Sequence, residues 1–149
     1  MNILITLSTC FLGFFLGTQI TEAVLMVPYW KSLTPDAFFL LHKTYGKKVY
    51  SFFAPITIMA TIFPLVTVAF IIQSSSTIQF TVACIGLFTL AFFSTYFLYF
   101  KGANKSFTDR SISDTELADS LKKWEYWHWT RIGFETIAFI CSLLLLIKI

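Results

Sequence analysis

Apolar residues dominate four stretches of the chain, and most polar residues lie in the connections between them. The stretches are Ile3–Val27, Val49–Ile72, Ile78–Phe100 and Trp127–Ile147. Each reaches the roughly 20 residues that a helix needs to cross the hydrocarbon core of a bilayer. Because backbone polar groups in lipid have to bond within each segment, such spans are helical. The pattern predicts an all-α integral membrane protein, one domain over residues 1–149, folded as an antiparallel four-helix bundle.

Composition agrees with a protein that lies in a lipid bilayer. The chain is 56% hydrophobic and 13% charged, which leaves too little polar surface for a soluble domain of this length. The first stretch lacks a basic start and is too long for the apolar core of a cleaved signal peptide, so we interpret it as a span. Cys10, Cys84 and Cys141 lie in different spans without zinc or disulfide spacing, and we interpret them as small buried apolar residues.

The distribution of Lys and Arg predicts the orientation in the membrane. Nearly all of these cations lie in two connections, and only Lys148 follows the last span. By the positive-inside rule, both connections are cytoplasmic and both termini lie on the other side of an inner or plasma membrane. The net charge of +3 thus reflects topology and requires no nucleic-acid partner. The cations are Lys31, Lys43, Lys47 and Lys48 in the first connection, and Lys101, Lys105, Arg110, Lys122 and Lys123 in the second.

Capping patterns predict that helices two and four begin before the membrane and extend on the cytoplasmic side. Thr34-Pro35-Asp36 combines a capping hydroxyl, a proline at the first helical position and an acid. Ser113-Asp-Thr-Glu116 is a capping-box pattern. The Gly and Asn of Lys101–Asn104 indicate that the third helix ends there, and the uncharged Gln73–Thr77 segment predicts a tight outer turn.

Spacings of four and three residues predict the faces that the long helices turn inward. Pro55 and Pro64 are expected to kink helix two. The outer halves of the four spans are almost wholly apolar in sequence. The predicted inward stripe of helix two is Phe38, His42, Tyr45, Val49, Phe52 and Ile56, and that of helix four is Leu117, Leu121, Trp124, His128, Arg131 and Glu135.

The first span presents two different faces. Gly13 and Gly17 form a GxxxG pattern, which permits close approach of a neighbouring helix or of a second copy in a homo-oligomer. Gln19 and Glu22 lie on the opposite face, in line with Phe15 and Met26. We expect this polar face to point into the protein.

Polar residues from all four helices fall at a similar depth near the cytoplasmic side. Charged groups inside a span are costly and usually face a bundle interior or a wet cavity. Two carboxyls that share one arginine favour a proton-exchanging glutamate, which can serve as a general acid or base. The alternative is a structural ion-pair network around Arg131. Candidate catalytic residues are His128, Arg131, Glu22 and Glu135, and candidate substrate-binding residues are Gln19, His42, Tyr45, Asn104 and Trp124.

A metal site is a further hypothesis for the same residues. Two histidines with carboxylates suit non-haem iron, and His42, His128, Glu22 and Glu135 supply these groups. No HxxxH or ExxH spacing supports such a site, however. We assign no cofactor, and haem or non-haem metal stays a minority hypothesis.

The opening of the last span resembles the anthrone-oxygenase-like family of small four-span membrane proteins. The resemblance rests on Trp124, His128 and Arg131, preceded by Asn104, and on a first helix that contains an acid and ends near a proline. It implies the four-helix membrane fold. For members from aromatic polyketide pathways, it also implies oxygenation of an anthrone to an anthraquinone.

Two functions follow as hypotheses. The first is an oxygenase- or oxidoreductase-like protein that binds a flat, apolar, phenolic or quinone-like molecule in a polar-lined pocket of the cytoplasmic half. There His128 would be the acid or base, Arg131 would stabilise a phenolate, and Asn104 would position the ligand. The second is a non-enzymatic carrier, channel component or partner subunit. A continuous polar path to the outer side would favour the second function.

Overall fold

Four long helices form the computed structural model, which describes residues 2–71 and 76–148, with residues 76 and 77 described by their backbone alone. The helices that are long and apolar enough to cross a membrane run Asn2–Ser32, Pro35–Ile71, Ile78–Asp109 and Leu117–Lys148. The prediction of an all-helical protein with four such helices is confirmed. Residues 73–75 of the predicted outer turn lie outside the described residues, and the next helix begins at Ser76.

Two of the long helices contain a short π-helical segment. The first consists of α1 (Asn2–Thr21), a π segment (Glu22–Met26) and α2 (Val27–Ser32). The third consists of α4 (Ser76–Thr95), a π segment (Tyr96–Phe100) and α5 (Lys101–Asp109). The other two are the uninterrupted helices α3 (Pro35–Ile71) and α6 (Leu117–Lys148).

The predicted starts of α3 and α6 are confirmed. α3 begins at Pro35, and the Thr34 hydroxyl accepts a hydrogen bond from the Ala37 amide at 3.4 Å. Before α6, the Ser113 amide donates to the Glu116 carboxylate at 2.9 Å, and the Glu116 amide donates to the Ser113 hydroxyl at 3.3 Å. This is the reciprocal pairing of a capping box. Hydrogen bonds from the Ser113 hydroxyl and amide hold the pKa of Glu116 below its ordinary value.

The predicted end of the third helix at Lys101–Asn104 is wrong. Helix α5 continues to Asp109, and the chain turns at Arg110, which adopts a left-handed conformation with φ of 49°. The Arg110 guanidinium bonds Asp36 at 2.7 Å and Asp114 at 3.1 Å, so this turn is tied to the start of α3. Helices two and four are therefore not alone in extending past their apolar stretches, because the third helix does so as well.

The first π segment changes which residues face inward. Its i→i+5 geometry is seen where the Val27 amide donates to the Glu22 carbonyl. Phe15, Gln19, Ala23 and Val27 are all buried, although a spacing of four drifts by about 40° per step on an α-helix. A π turn contains more residues than an α turn and therefore compensates for this rotation of the buried face. The predicted inward position of Met26 is wrong, because Met26 is 41% exposed and Val27 replaces it.

Proline and threonine give a local reason for these wide turns. Pro28 has no amide hydrogen, and its ring clashes with the carbonyl four residues earlier in a regular α-helix. The π segment ends just before Pro28 and moves that carbonyl away. Each π segment also follows a threonine whose hydroxyl donates to the preceding turn, Thr21 to the Gly17 carbonyl at 2.8 Å and Thr95 to the Phe92 carbonyl at 2.5 Å.

The interior is layered along the helices. α1 packs on α3 and α6, and α4 packs on the same two helices. Near one end, the Ser8 hydroxyl bonds Thr67 and the Thr9 hydroxyl bonds Ser142, each at 2.7 Å. These four residues, called the hydroxyl layer, correct the expectation of an almost wholly apolar outer half. Next to them lies an apolar layer of buried residues, Leu12, Phe15, Ala60, Phe92 and Ala138.

The predicted inward stripe of helix two is wrong from Tyr45 to Phe52, whereas Ile56 at its end is half-buried and packs on the apolar layer. Phe38 is buried and His42 is half-buried, but Tyr45, Val49 and Phe52 are exposed. Because lipid-facing residues are as apolar as packed ones, hydrophobic spacing does not separate the two faces of a membrane helix. The residues of α3 that are buried are Phe38, Phe39, Ala60, Thr61, Pro64, Thr67 and Ile71.

The two glycines of the GxxxG pattern have different surroundings. A Cβ built on Gly13 would lie 2.8 Å from Cε2 of Phe139, whereas a Cβ on Gly17 would meet nothing within 4 Å. Gly13 therefore permits the contact of α1 with α6 of the same chain, and Gly17 faces open space. The cysteines are less buried than expected, since Cys10 is exposed and Cys84 and Cys141 are half-buried.

Alanine at the two glycines should have opposite effects on stability. Gly17→Ala should be neutral or stabilise by up to about 1 kcal/mol through helix propensity. Gly13→Ala should destabilise by about 1–3 kcal/mol because the methyl group overpacks against Phe139. The free energy of unfolding in detergent, followed by circular dichroism, measures both. A comparable loss at Gly17 would contradict this and would place a second copy on that face.

The hydroxyl layer should contribute measurably to helix association. Ser142→Ala should destabilise by about 0.6 kcal/mol and by no more than about 1.7 kcal/mol, the range found for hydrogen bonds between membrane helices. A double-mutant cycle with Thr9→Val isolates the pair. Ser94→Ala is the matched control, because the exposed Ser94 hydroxyl bonds only the Leu90 carbonyl of its own helix. An effect at Ser94 equal to that at Ser142 would show that the hydrogen bond between helices is not what stabilises the protein.

Candidate functional site

A cluster of buried polar side chains joins the first helix to α6. The predicted inward stripe of α6 is confirmed, with Leu117, Leu121, Trp124, His128 and Glu135 buried and Arg131 largely so. On the first helix, Gln19 and Glu22 are buried at the start of the π segment. Gln19, Glu22, His128, Arg131 and Glu135 are called the polar cluster below.

Arg131 is the central cation of the polar cluster. Its Nη2 donates to Nδ1 of His128 at 2.8 Å and lies 3.8 Å from Oε2 of Glu22. Electrostatic attraction reaches it from both Glu22 and Glu135. Its Cζ lies 4.1 Å from the centroid of the Phe100 ring, an arrangement that suits a cation–π contact. The guanidinium is thus held on its face by an aromatic ring and on its edge by His128.

The hydrogen bonds of His128 determine its tautomer. Nε2 lies 2.9 Å from the Gln19 carbonyl oxygen, which can only accept. Nδ1 receives the bond from Arg131, which can only donate. His128 is therefore a neutral imidazole with its proton on Nε2. Because both nitrogens are occupied, His128 orients Arg131 in this state and would have to lose a partner before it could accept a proton.

Several buried atoms of the polar cluster have no hydrogen-bond partner within the described residues. These are both carboxyl oxygens of Glu135, Nε of Arg131 and Oε1 of Gln19. Glu135 is 0% exposed. An unpaired buried polar group costs about 1–3 kcal/mol, and a charged group costs more. The polar cluster therefore retains one donor and several acceptors that are not used by the fold.

Aromatic side chains enclose the polar cluster. The Trp124 ring stacks on His128 with centroids 4.7 Å apart, and its Nε1 donates to Oδ1 of Asn104 at 2.9 Å. Two further rings pack on Trp124, with centroid distances of 5.2 Å for Phe100 and 5.3 Å for Trp30 of the first helix. Sequence reasoning missed Phe100 and Trp30. Phe100 is one of 18 phenylalanines, so no pattern marks it, and Trp30 follows Tyr29 at the end of the first apolar stretch, a position typical of interfacial aromatic residues.

The structure brings most of the predicted site residues together. Trp124 and Asn104 adjoin the polar cluster through their hydrogen bond. His42 is separated from His128 by aromatic rings, because it packs on Trp30 at 5.1 Å and its Nδ1 lies 3.0 Å from the Phe38 carbonyl. Tyr45 is 48% exposed, with the Lys48 ammonium over its ring, and contributes no contact to the polar cluster.

The geometry does not support the metal hypothesis. Within residues 2–71 and 76–148, no three His, Cys, Asp or Glu side chains come close enough to hold a metal ion. His128 also uses both ring nitrogens in hydrogen bonds. The set of His42, His128, Glu22 and Glu135 is therefore not assembled into a common site.

Two cavities of the described residues lie away from the polar cluster. One cavity of about 250 Å³ lies between α5 and the start of α6, and another of about 520 Å³ lies between α3 and the turn at Arg110. No residue of the polar cluster lines either cavity. The Phe100 ring covers the guanidinium of Arg131, and the Trp124 ring stacks on His128.

Comparison with protein-family models, curated proteins and solved structures finds no match to this chain. The resemblance to the anthrone-oxygenase-like family therefore rests on the sequence residues themselves. The geometry adds that these residues are neighbours, since Trp124 bonds Asn104 and stacks on His128, which bonds Arg131.

Glu135 and Glu22 should respond oppositely to substitution. Glu135→Met should stabilise the protein by about 1–3 kcal/mol, because it removes a buried carboxyl that accepts no hydrogen bond. Glu22→Met removes the acid nearest to Arg131 and should destabilise by about 3–5 kcal/mol, since it breaks a buried ion pair. Unfolding in detergent micelles measures both. A loss of stability in Glu135→Met would mean that the carboxyl does have a stabilising partner.

Proposed function

We propose that this protein binds a flat, apolar, phenolic or quinone-like molecule at the polar cluster and acts as an oxygenase- or oxidoreductase-like membrane protein. In this proposal the helices form an antiparallel four-helix bundle. The end that holds Lys31, Lys43, Lys101 and Lys123, called the lysine-rich end, faces the cytoplasm by the positive-inside rule. The ligand reaches the site from the adjoining membrane leaflet.

The observation that best supports this proposal is that buried polar atoms of the polar cluster have no hydrogen-bond partner within the described residues. The Arg131 Nε–H is a free donor and the Glu135 carboxyl is a free acceptor, and both are buried. A phenolic hydroxyl needs one donor and one acceptor, so it is the complement of this pair. A quinone oxygen needs only the donor. Such a site binds its ligand strongly relative to an analogue that lacks the polar group, because the buried partners are then left unpaired.

The aromatic shell supports a flat ligand. Phe100 already places a ring on the Arg131 guanidinium, and Trp124 places one on His128. Phe100 is the last residue of a π segment, and such segments are frequent at functional sites. A ligand ring would replace Phe100 against Arg131, and the π segment would allow the residue to move by a change in backbone hydrogen bonding.

The residues of the polar cluster would have different roles. Arg131 would stabilise a phenolate or enolate, while His128 and Glu22 would hold Arg131 in place. Glu135 is better placed than His128 to accept a proton, because its oxygens have no partner. The activity implied by the family resemblance is oxidation of an anthrone, the keto form of a phenol, by O₂ to an anthraquinone and water. Turnover that persists in a His128→Ala, Arg131→Ala double variant would refute the roles proposed for these two residues.

The alternative of an open channel has less support. The hydroxyl layer does place polar groups at the other end, but the apolar layer separates it from the polar cluster along the chain. Leu12 and Phe15 lie between Thr9 and Gln19, and Ala138 lies between Glu135 and Ser142. On the first helix and α6, apolar residues thus separate the two groups of polar residues.

Binding of a matched ligand pair tests the proposal. Isothermal titration of nanodisc-embedded protein with 2-naphthol should show saturable binding. Its methyl ether cannot donate to Glu135 and should bind about 5- to 150-fold more weakly, as expected for a lost hydrogen bond in a buried site. Glu135→Met and Arg131→Met should reduce 2-naphthol binding to the level of empty nanodiscs.

The control variant is Glu125→Gln on the same helix. Glu125 pairs with Lys31 at the surface and touches no residue of the polar cluster, so binding should be unchanged. Equal affinity for the phenol and the ether, or full binding by Glu135→Met, would contradict the proposal. Either result would indicate that water or a purely structural arrangement occupies the unused donor and acceptor.

A further inference from the structure

A second site lies outside the polar cluster, in the cavity between α5 and the start of α6. Its volume is about 250 Å³, below the roughly 300 Å³ at which pockets for drug-sized ligands begin. It therefore suits a small head group better than a ring system. Leu98, Tyr99, Gly102, Ala103, Ser106, Phe107, Ser120 and Lys123 line it.

The polar part of this lining carries hydrogen-bond donors and one positive charge. Lys123 forms no ion pair within the described part of the chain, and its Nζ lies 5.7 Å from the centroid of the Tyr99 ring. Ser120 and Tyr99, which carry hydroxyl groups, belong to the same lining. Neighbouring Lys105 and Lys122, by contrast, are neutralised by Asp109 and Asp119. Lys123 is thus the cation of this cavity that is available to an anion.

The apolar part of the lining continues onto the lipid-facing surface. Leu98 is 72% exposed, and its neighbour Phe97 is also exposed, so acyl chains would contact them directly. Gly102 has no side chain, and a Cβ there would meet nothing within 4 Å. The cavity therefore opens on the membrane beside an apolar surface, with its charge at the lysine-rich end.

We propose that this cavity binds the phosphate head group of an anionic phospholipid. Lys123 neutralises the phosphate, the hydroxyls of Ser120 and Tyr99 donate to its oxygens, and the acyl chains lie along Leu98 and Phe97. A basic recess between membrane helices with an apolar floor is the arrangement that recognises such head groups. The site is independent of the proposed ligand at the polar cluster.

Native mass spectrometry of the detergent-solubilised protein tests this site. With equal amounts of phosphatidylglycerol and phosphatidylcholine, one phosphatidylglycerol should be retained preferentially. Lys123→Met keeps the length of the side chain and should lower that retention about fivefold, the effect of one lysine near a charged lipid surface. Gly102→Leu fills the cavity and should abolish the preference.

Two controls make the result decisive. Lys101→Met removes an exposed lysine of α5 that does not line the cavity, and it should leave retention unchanged. Millimolar inorganic phosphate should not displace the lipid. Equal retention of both lipids, an equal effect of Lys101→Met, or displacement by phosphate alone would overturn the proposal. If Gly102→Leu fails to fold, the comparison of Lys123→Met with Lys101→Met still tests whether the cavity binds the lipid.

Discussion

The burial of the Arg131 guanidinium among apolar helices constrains the rest of this structure. A charge at this depth is costly unless other groups compensate it. Glu22 supplies the opposite charge, His128 accepts a hydrogen bond, and Phe100 covers the planar face. His128 in turn is fixed by the carbonyl of Gln19. One cation thus ties the first, third and fourth long helices together at one level.

The two π segments lie where these groups meet. Glu22 begins the first segment and Phe100 ends the second, so each wide turn delivers one partner of Arg131. Within residues 2–71 and 76–148, the fold nevertheless leaves the Glu135 carboxyl, Arg131 Nε and Gln19 Oε1 without hydrogen-bond partners. A protein selected for stability alone would fill such positions with apolar side chains. The unused atoms are therefore the strongest physical argument that the polar cluster has a function beyond holding the helices together.

The two ends of the helices are held together by different interactions. At the lysine-rich end, the Asp36–Arg110–Asp114 pairs and the Lys31–Glu125 pair link helix extensions that lie beyond the apolar stretches. At the other end, hydroxyl pairs join α1 to α3 and α6 without charge. The apolar layer between them separates the polar cluster from the hydroxyl layer. Ionisable side chains are thus buried at the level of the polar cluster, whereas the hydroxyl layer is uncharged.

The sequence by itself determined the four spans, the capped starts of α3 and α6, and the inward stripe of α6, because each depends on local periodicity or on residues three or four apart. It also indicated Glu22, His128, Arg131 and Glu135 as site residues, because ionisable side chains are rare in apolar spans. Only the tertiary structure decided the faces of α3, the continuation of α5 to Asp109 and the positions of Phe100 and Trp30. In lipid, packed and exposed faces are equally apolar, and a π turn shifts every later residue without a strong local signal. The arrangement of the polar cluster likewise depends on contacts between residues far apart in the chain, such as that of His128 with the Gln19 carbonyl.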